Sequence, residues 1–280
     1  MIEGLKSLTS QRARRRVKRS ASVSFGMTTP GFKDYFSASA AEYATFRPRY
    51  PAALFEFVGS LPANHRTVWD CATGNGQAAV PLADRFDRVI ATDASVEQIA
   101  HATPHDRVSY RVALADASGL ESESVDLVTV AQALHWLPLE RFFSEVRRVI
   151  APGGALAVWC YSRLTIDPVI DEVIEHYYVE LCGPYWSPER ALVDQGYRTI
   201  TMPIEEVAAP PLWIESTLTL DELAGYIRTW SATRKFGAAI GRDPVIELRE
   251  SLRPLWGDAD EKRVIRWPLH VRAGALIPDF

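Results

Sequence analysis

An acid at Asp70 is followed by Ala72, Gly74 and Gly76 at alternating positions, and a second acid, Asp93, comes 19 residues after Gly74. Paired glycines after a buried strand let the backbone turn sharply and approach a ligand without Cβ clashes. The amides that open the next helix then point at that ligand. As written, the stretch from Gly74 to Ala79, GNGQAA, fits the G-x-G-x-x-A fingerprint of dinucleotide-binding loops, and Asp93 falls where a carboxylate grips a ribose diol. Asp70 shifts the balance, because a carboxylate four residues before Gly74 sits badly beside a pyrophosphate and well beside a cation. S-adenosylmethionine carries an ammonium and a sulfonium but no phosphate. A nicotinamide-dependent oxidoreductase remains the alternative from the loop alone.

The elements that must position these residues alternate along the chain. Apolar runs at 67–72, 88–93, 108–114, 125–134 and 155–161 predict strands. Helical patterns occupy 77–86, 95–102 with Ser95 as N-cap, and 139–150, which APGG stops. Strands alternating with helices predict an α/β fold with a parallel sheet covered on both faces. Helices are also predicted at 34–46 and 51–60, ahead of the sheet. After residue 161 the texture changes. Helical pieces at 167–182, 187–196, 219–232 and 243–252 form a cap, in two insertions at about 162–203 and 219–257. The stretch 204–216 reads as one strand interrupted by Pro210 and Pro211, and 262–274 as an antiparallel strand at the sheet edge. No linker separates these parts, so residues 28–280 read as a single domain.

Composition sets outer limits. The chain is 47% apolar and 24% charged, as expected of a water-soluble domain, and no apolar run reaches membrane-spanning length. The cysteines Cys71, Cys160 and Cys182 are too scattered for a disulfide framework or a zinc site, and no metal constellation is visible. A reducing cytoplasm is the expected compartment. Residues 1–27 carry seven basic side chains against Glu3, which leaves a net −10 on the remainder of a chain whose formal charge is −4. An acidic body argues against a nucleic-acid backbone as partner. The basic stretch reads as a disordered tail, or as a segment preceding a true start at Met27. Binding to RNA or an acidic surface, or an organelle address, are its other readings. Oligomeric state is not legible.

The motifs VWDCATGNGQAA, VIATDAS, ALADASGL, VDLVTVAQALHWL and RVIAPGGALAVWCY stand in an order that resembles the class I S-adenosylmethionine-dependent methyltransferases. The opening FSASAAEYATFRPRYP and the element AQALHW are similar to the subgroup that includes trans-aconitate methyltransferases. The resemblance implies a Rossmann-like sheet of seven mostly parallel strands, S-adenosylmethionine as cofactor, and methyl transfer to a small-molecule oxygen, carboxylate or hydroxyl. It implies that Asp70 and the backbone at Ala72, Gly74 and Gly76 hold the methionine part. Asp93 would take the ribose hydroxyls and Ala94 would lie against the adenine, with Ala115 and Asp116 at the adenine edge. Gln132 would face the methionine or the methyl group. Ala72 stands where the family usually has a glycine.

Other side chains have an ordinary reading beside the functional one. His135, at the carboxyl end of the fourth strand, is a general-base candidate or a packed histidine that shapes the pocket with Trp136. Arg47 and Tyr50 could reach a substrate from the N-terminal side, or cap a helix. Tyr177, Tyr178, Tyr185, Trp186 and Trp230 could line an apolar cavity or form core. Cys71 reads as a small buried thiol. A non-catalytic S-adenosylmethionine-binding protein is a further alternative.

Overall fold

The computed structural model describes residues 48–277, all within one compact unit. Arg47, the helix expected at 34–46 and the basic segment 1–27 lie outside the described residues. The chain runs α1 (Ala52–Gly59), β1 (Thr67–Cys71), α2 (Ala79–Leu82), β2 (Arg88–Asp93), α3 (Val96–Ala100), β3 (Val108–Val112), β4 (Val125–Ala131), α4 (Leu139–Val149) and β5 (Ile150–Tyr161). It continues through α5 (Pro168–His176), α6 (Arg190–Asp194), β6 (Ile204–Val207), β7 (Leu212–Leu218), α7 (Leu220–Arg228), α8 (Ser231–Ile240), α9 (Val245–Trp256) and β8 (Arg263–Leu276).

The strands form one sheet in the order β3-β2-β1-β4-β5-β8-β6, with β7 also paired to β8. The pairs β1–β2, β2–β3, β1–β4 and β4–β5 are parallel, and β8 is antiparallel to β5, β6 and β7. Successive residues of a strand face opposite sides. Val68, Leu127, Ala155 and Ala157 therefore join one core with α1, α2 and the cap, and Trp69, Val128, Leu156 and Val158 join another with Phe142 and Val146 of α4. Both faces being dry, β1 is buried at every position.

The sheet has eight strands where seven were expected. The stretch read as one interrupted strand is two, because 208–211 carries Pro210 and Pro211, whose missing N–H groups cannot join a ladder. β6 pairs with Ala273–Leu276 of β8, and β7 pairs with Arg263–Leu269 of the same strand. β5 also begins earlier than expected. Ile150 pairs with Val125, and the register then jumps to Leu127–Ala155 as Gly153 turns with φ +78°. The helix predicted at 77–86 contains a single α-helical turn around Pro81. Ser95 caps α3 as expected, its hydroxyl accepting the Gln98 amide. Among the described residues no helix is long and apolar enough to cross a membrane.

Gly274 is a tight point of the sheet, lying between Leu156 of β5 and Glu206 of β6. A Cβ there would sit 1.9 Å from the Glu205 carbonyl oxygen, so the β6 backbone would have to move. Gly274→Ala is expected to cost about 3 kcal/mol. Thermal unfolding checks this, with a fall in Tm of roughly 6–12 °C expected for a domain of this size.

Candidate active site

The glycine loop is built on a buried acid. Asp70 is fully enclosed in β1, and its two oxygens accept the Thr73 hydroxyl at 2.5 Å and the Thr129 hydroxyl at 2.8 Å. Thr129 is its register partner on β4, so this carboxylate joins the loop to two central strands. Burial raises its pKa from an ordinary 3.8 to about 6, the two hydroxyls oppose the rise, and the charge of Asp93 adds to it. Taken alone, such a raised acid favours the fold below about pH 4 and weakens it as pH climbs through 6, by roughly 3 kcal/mol.

Asp93 ends β2 with a carboxylate that accepts the Gly74 amide at 2.9 Å and the Ser95 amide at 2.8 Å. It thereby ties the glycine loop to the start of α3. Burial first, and then the charges of Asp70, Asp93 and Asp116, push the thiol of Cys71 well above its ordinary value. No cation partners Asp70 among the described residues. A cationic ligand bearing hydroxyls suits that donor set and a diphosphate does not.

Ala72, Gly74 and Gly76 all take positive φ, at +56°, +58° and +89°. The alanine departs from the family's usual glycine and bears a left-handed cost of ~1–2 kcal/mol. Gly76 has an additional reason to lack a side chain. A Cβ there would fall 2.2 Å from the hydroxyl of Tyr110, which donates to the Thr103 carbonyl. Tyr110 was not singled out in the sequence because nothing local marks a β3 residue as a neighbour of the glycine loop.

Ala94 follows Asp93, half-buried, at the mouth of the loop. Ala115 and Asp116 lie in the turn after β3, which Glu145 of α4 holds in place. Glu145 accepts the Ser118 amide at 2.9 Å and its hydroxyl at 2.5 Å, while Arg148 binds both Glu145 oxygens and the Leu120 carbonyl. Those Arg148 bonds, with Ser118, hold the Glu145 carboxyl down at about 2. Asp116 itself is paired with Arg141 at 3.0 Å.

Gln132 adopts φ +56° and its amide bridges to β5, accepting from Tyr161 N at 2.8 Å and donating to Tyr161 O at 3.3 Å. It lines a cleft, partly open to solvent, between the carboxyl ends of β4 and β5 and the cap. His135 and Trp136 line one wall, their rings 4.7 Å apart. Tyr178, Trp186 and Trp230 line the other, as mutual aromatic neighbours 4.8–6.0 Å apart. Tyr177 and Tyr185 are not part of it, since Tyr177 is buried with its hydroxyl on Thr233 and Tyr185 packs on Phe236. Tyr50 lies edge-on to Trp159 at 5.7 Å, beneath the carboxyl end of β5.

The cleft also holds three guanidinium groups, Arg163, Arg190 and Arg234, and among the described residues no carboxylate lines it. Arg190 lies 5.0 Å over the Trp186 ring and 5.5 Å over that of Tyr178, and is tied to Asp194 at 3.1 Å. Arg163 faces Tyr178 at 5.5 Å and pairs with Glu175. These arginines escaped the sequence reading, although SPER after an aromatic run was a usable signal. Among the described residues no His, Cys, Asp or Glu group could hold a metal ion, and the three cysteines are free and buried.

Comparison with known proteins accords with this geometry. Residues 69–158 match the model of a methyltransferase domain. A Dictyostelium discoideum protein assigned as a methyltransferase is 32% identical over 251 residues, covering 87% of this chain and 95% of that one. A Saccharomyces cerevisiae protein assigned as an S-adenosylmethionine-dependent methyltransferase is 30% identical, over 68% of this chain and 78% of its own length. The solved structure assigned as a type II methyltransferase from Anaeromyxobacter dehalogenans superposes with a TM-score of 0.80 at 42% identity, over 84% of this chain and all of that one. The narrower likeness to trans-aconitate methyltransferases is not carried by these relatives. With its sheet order, its acidic glycine loop and these relatives, the chain belongs to the class I S-adenosylmethionine-dependent methyltransferases.

Proposed function

We propose that the protein methylates a small, planar acid at a carboxylate oxygen, inside the cleft between the sheet and the cap. The observation that carries this reading is the set of three arginines among aromatic rings in a cleft that no carboxylate of the described residues lines. Guanidinium groups bind carboxylates through charge-assisted, often bidentate hydrogen bonds. Asp194 and Glu175 approach two of these arginines from outside the lining, which fixes their direction. The aromatic walls suit a flat apolar body.

In this reading Asp70, Asp93 and the loop from Ala72 to Gly76 hold S-adenosylmethionine, with Ala94, Ala115 and Asp116 beside its adenine. When bound, the cofactor supplies an electrophilic methyl carbon on a sulfonium. The chain's contribution is alignment: Gln132 and the arginines fix the acceptor oxygen on line with that carbon, and the cap excludes water. Holding two reactants so is worth ~7–11 kcal/mol in favourable cases. A carboxylate needs no base. A phenol would, and is the second reading only because His135 also lines the cleft.

Alkali separates the two readings, since a methyl ester releases volatile methanol and a methyl ether does not. The protein should transfer label from methyl-tritiated S-adenosylmethionine to members of a panel of aryl and alkenyl carboxylic acids, giving alkali-volatile product. Label confined to phenols would overturn the carboxylate assignment. Arg234→Gln should lower kcat/KM for an accepted acid by ~10–100-fold, the worth of one charge-assisted bond.

The placement of Asp70 makes a second prediction. A cation beside it favours the carboxylate, so S-adenosylmethionine should bind more tightly as pH rises from 5 to 7 through the Asp70 value of about 6. Calorimetry should show a gain of up to ~10-fold per pH unit below that value. Asp70→Asn should abolish the dependence. Equal affinity at both ends of the range in the wild type would remove Asp70 from the cofactor site.

A further inference from the structure

We propose that His135 is a hydrogen-bond donor to the methyl acceptor, with its tautomer fixed by Tyr197, and that it takes up no proton during the reaction. The inference rests on the methyl-transfer reading of the cleft. His135 Nδ1 lies 2.8 Å from the Tyr197 hydroxyl. Tyr197 is fully buried, so that hydroxyl must give its proton to a protein acceptor. Among the described residues His135 Nδ1 is the acceptor within reach. With Nδ1 accepting, the neutral imidazole carries its hydrogen on Nε2, and that edge of the ring is left to the cleft that His135 lines.

Tyr197 is held for this task by unusual backbone. Gly196 and Tyr197 both take φ +59°, and a Cβ at Gly196 would come within 2.7 Å of the His270 ring. A tyrosine in the left-handed region costs ~1–3 kcal/mol and persists only where its surroundings fix it. Here Arg272 of β8 donates to the carbonyls of Tyr197 at 2.7 Å and Ile200 at 2.6 Å, and the Tyr197 amide donates to Leu192 O at 2.8 Å. The groups around the pair oppose an imidazolium. Burial first, then the Arg190 guanidinium, hold the ring down at about 3. Burial above all pushes the Tyr197 phenol well above its ordinary value, so it keeps its proton. Asp194, the nearby carboxylate, is engaged by Arg190 and the Tyr178 hydroxyl.

This fits the chemistry proposed for the cleft. A lone pair of the carboxylate forms the new O–C bond and the C–S electron pair stays with sulfur. The negative and positive charges cancel, and no proton is left for a base. A fixed Nε2–H can hold the carboxylate by the oxygen that does not attack.

Long-range proton–nitrogen NMR of the uniformly 15N-labelled full chain reads the tautomer directly, with His135 assigned by the signals lost in His135→Gln. The expected spectrum shows Nε2 protonated and Nδ1 bare, unchanged from about pH 8 to about pH 5.5, where an ordinary histidine titrates. Tyr197→Phe should release the constraint and bring in the Nδ1–H form. A wild-type ring protonated on Nδ1, or one that titrates near 6.5, would overturn the proposal, as would a Tyr197→Phe spectrum identical to the wild type. The wild-type readout needs neither cofactor nor acceptor, so a failure of the methylation reading leaves a different trace, namely the absence of labelled product.

Discussion

A carboxylate buried with no cation beside it among the described residues organises this molecule. Asp70 lies fully enclosed between β1 and β4, satisfied by two hydroxyls and pressed by a second acid at the end of β2. Leaving such a group charged at neutral pH costs free energy. The structure accepts that cost because the parallel sheet around it is buried on both faces and strongly packed. The acid in turn orders the loop: Thr73 is held by Asp70, Gly74 by Asp93, and the intervening backbone takes the left-handed turns that present amides to a ligand. On the proposed reading a cationic ligand would relieve the penalty and turn an unfavourable local charge into binding specificity.

The carboxyl edge of the sheet carries two environments of opposite sign. Around β1 and β2 the charges of Asp70, Asp93 and Asp116 add to burial in raising the Cys71 thiol. Beyond β4 and β5 the lining turns cationic and aromatic, supplied by the cap rather than by the sheet. Gln132 stands between them, its side chain continuing the β4–β5 ladder where the strands have ended. A sulfonium on one side and an anion on the other would meet there along a gradient that favours both, which is electrostatic preorganisation for a reaction that cancels charge.

Strain marks the same boundary. Of the four non-glycine residues with positive φ among those described, Ala72, Gln132 and Tyr197 lie at or beside the site, and Glu123 lies in the turn before β4. Each of the three at the site is held by a cross-strand or cross-layer bond: Ala72 next to the Asp70 and Asp93 network, Gln132 by Tyr161, and Tyr197 by Arg272. The rigid sheet absorbs these local costs, and side chains that a relaxed loop would scatter are fixed against the cleft.

Local pattern determined the strands, the glycine loop, the Ser95 cap and the two acids, because each is written in neighbouring residues: apolar alternation, backbone permissiveness, a hydroxyl before a helix. The same locality misread 204–216, where two prolines looked like an interruption and are in fact the junction between two strands that share β8. Only the tertiary structure decided that Tyr110 is the reason for Gly76, that Arg163, Arg190 and Arg234 share one cleft, and that Tyr177 and Tyr185 stay outside it. It alone set the role open to His135, by bringing Tyr197 to Nδ1 from 62 residues away. The reason is physical. Backbone preference acts over a few residues, whereas the polarity and proton inventory of a cleft are set by side chains that meet only when distant segments pack.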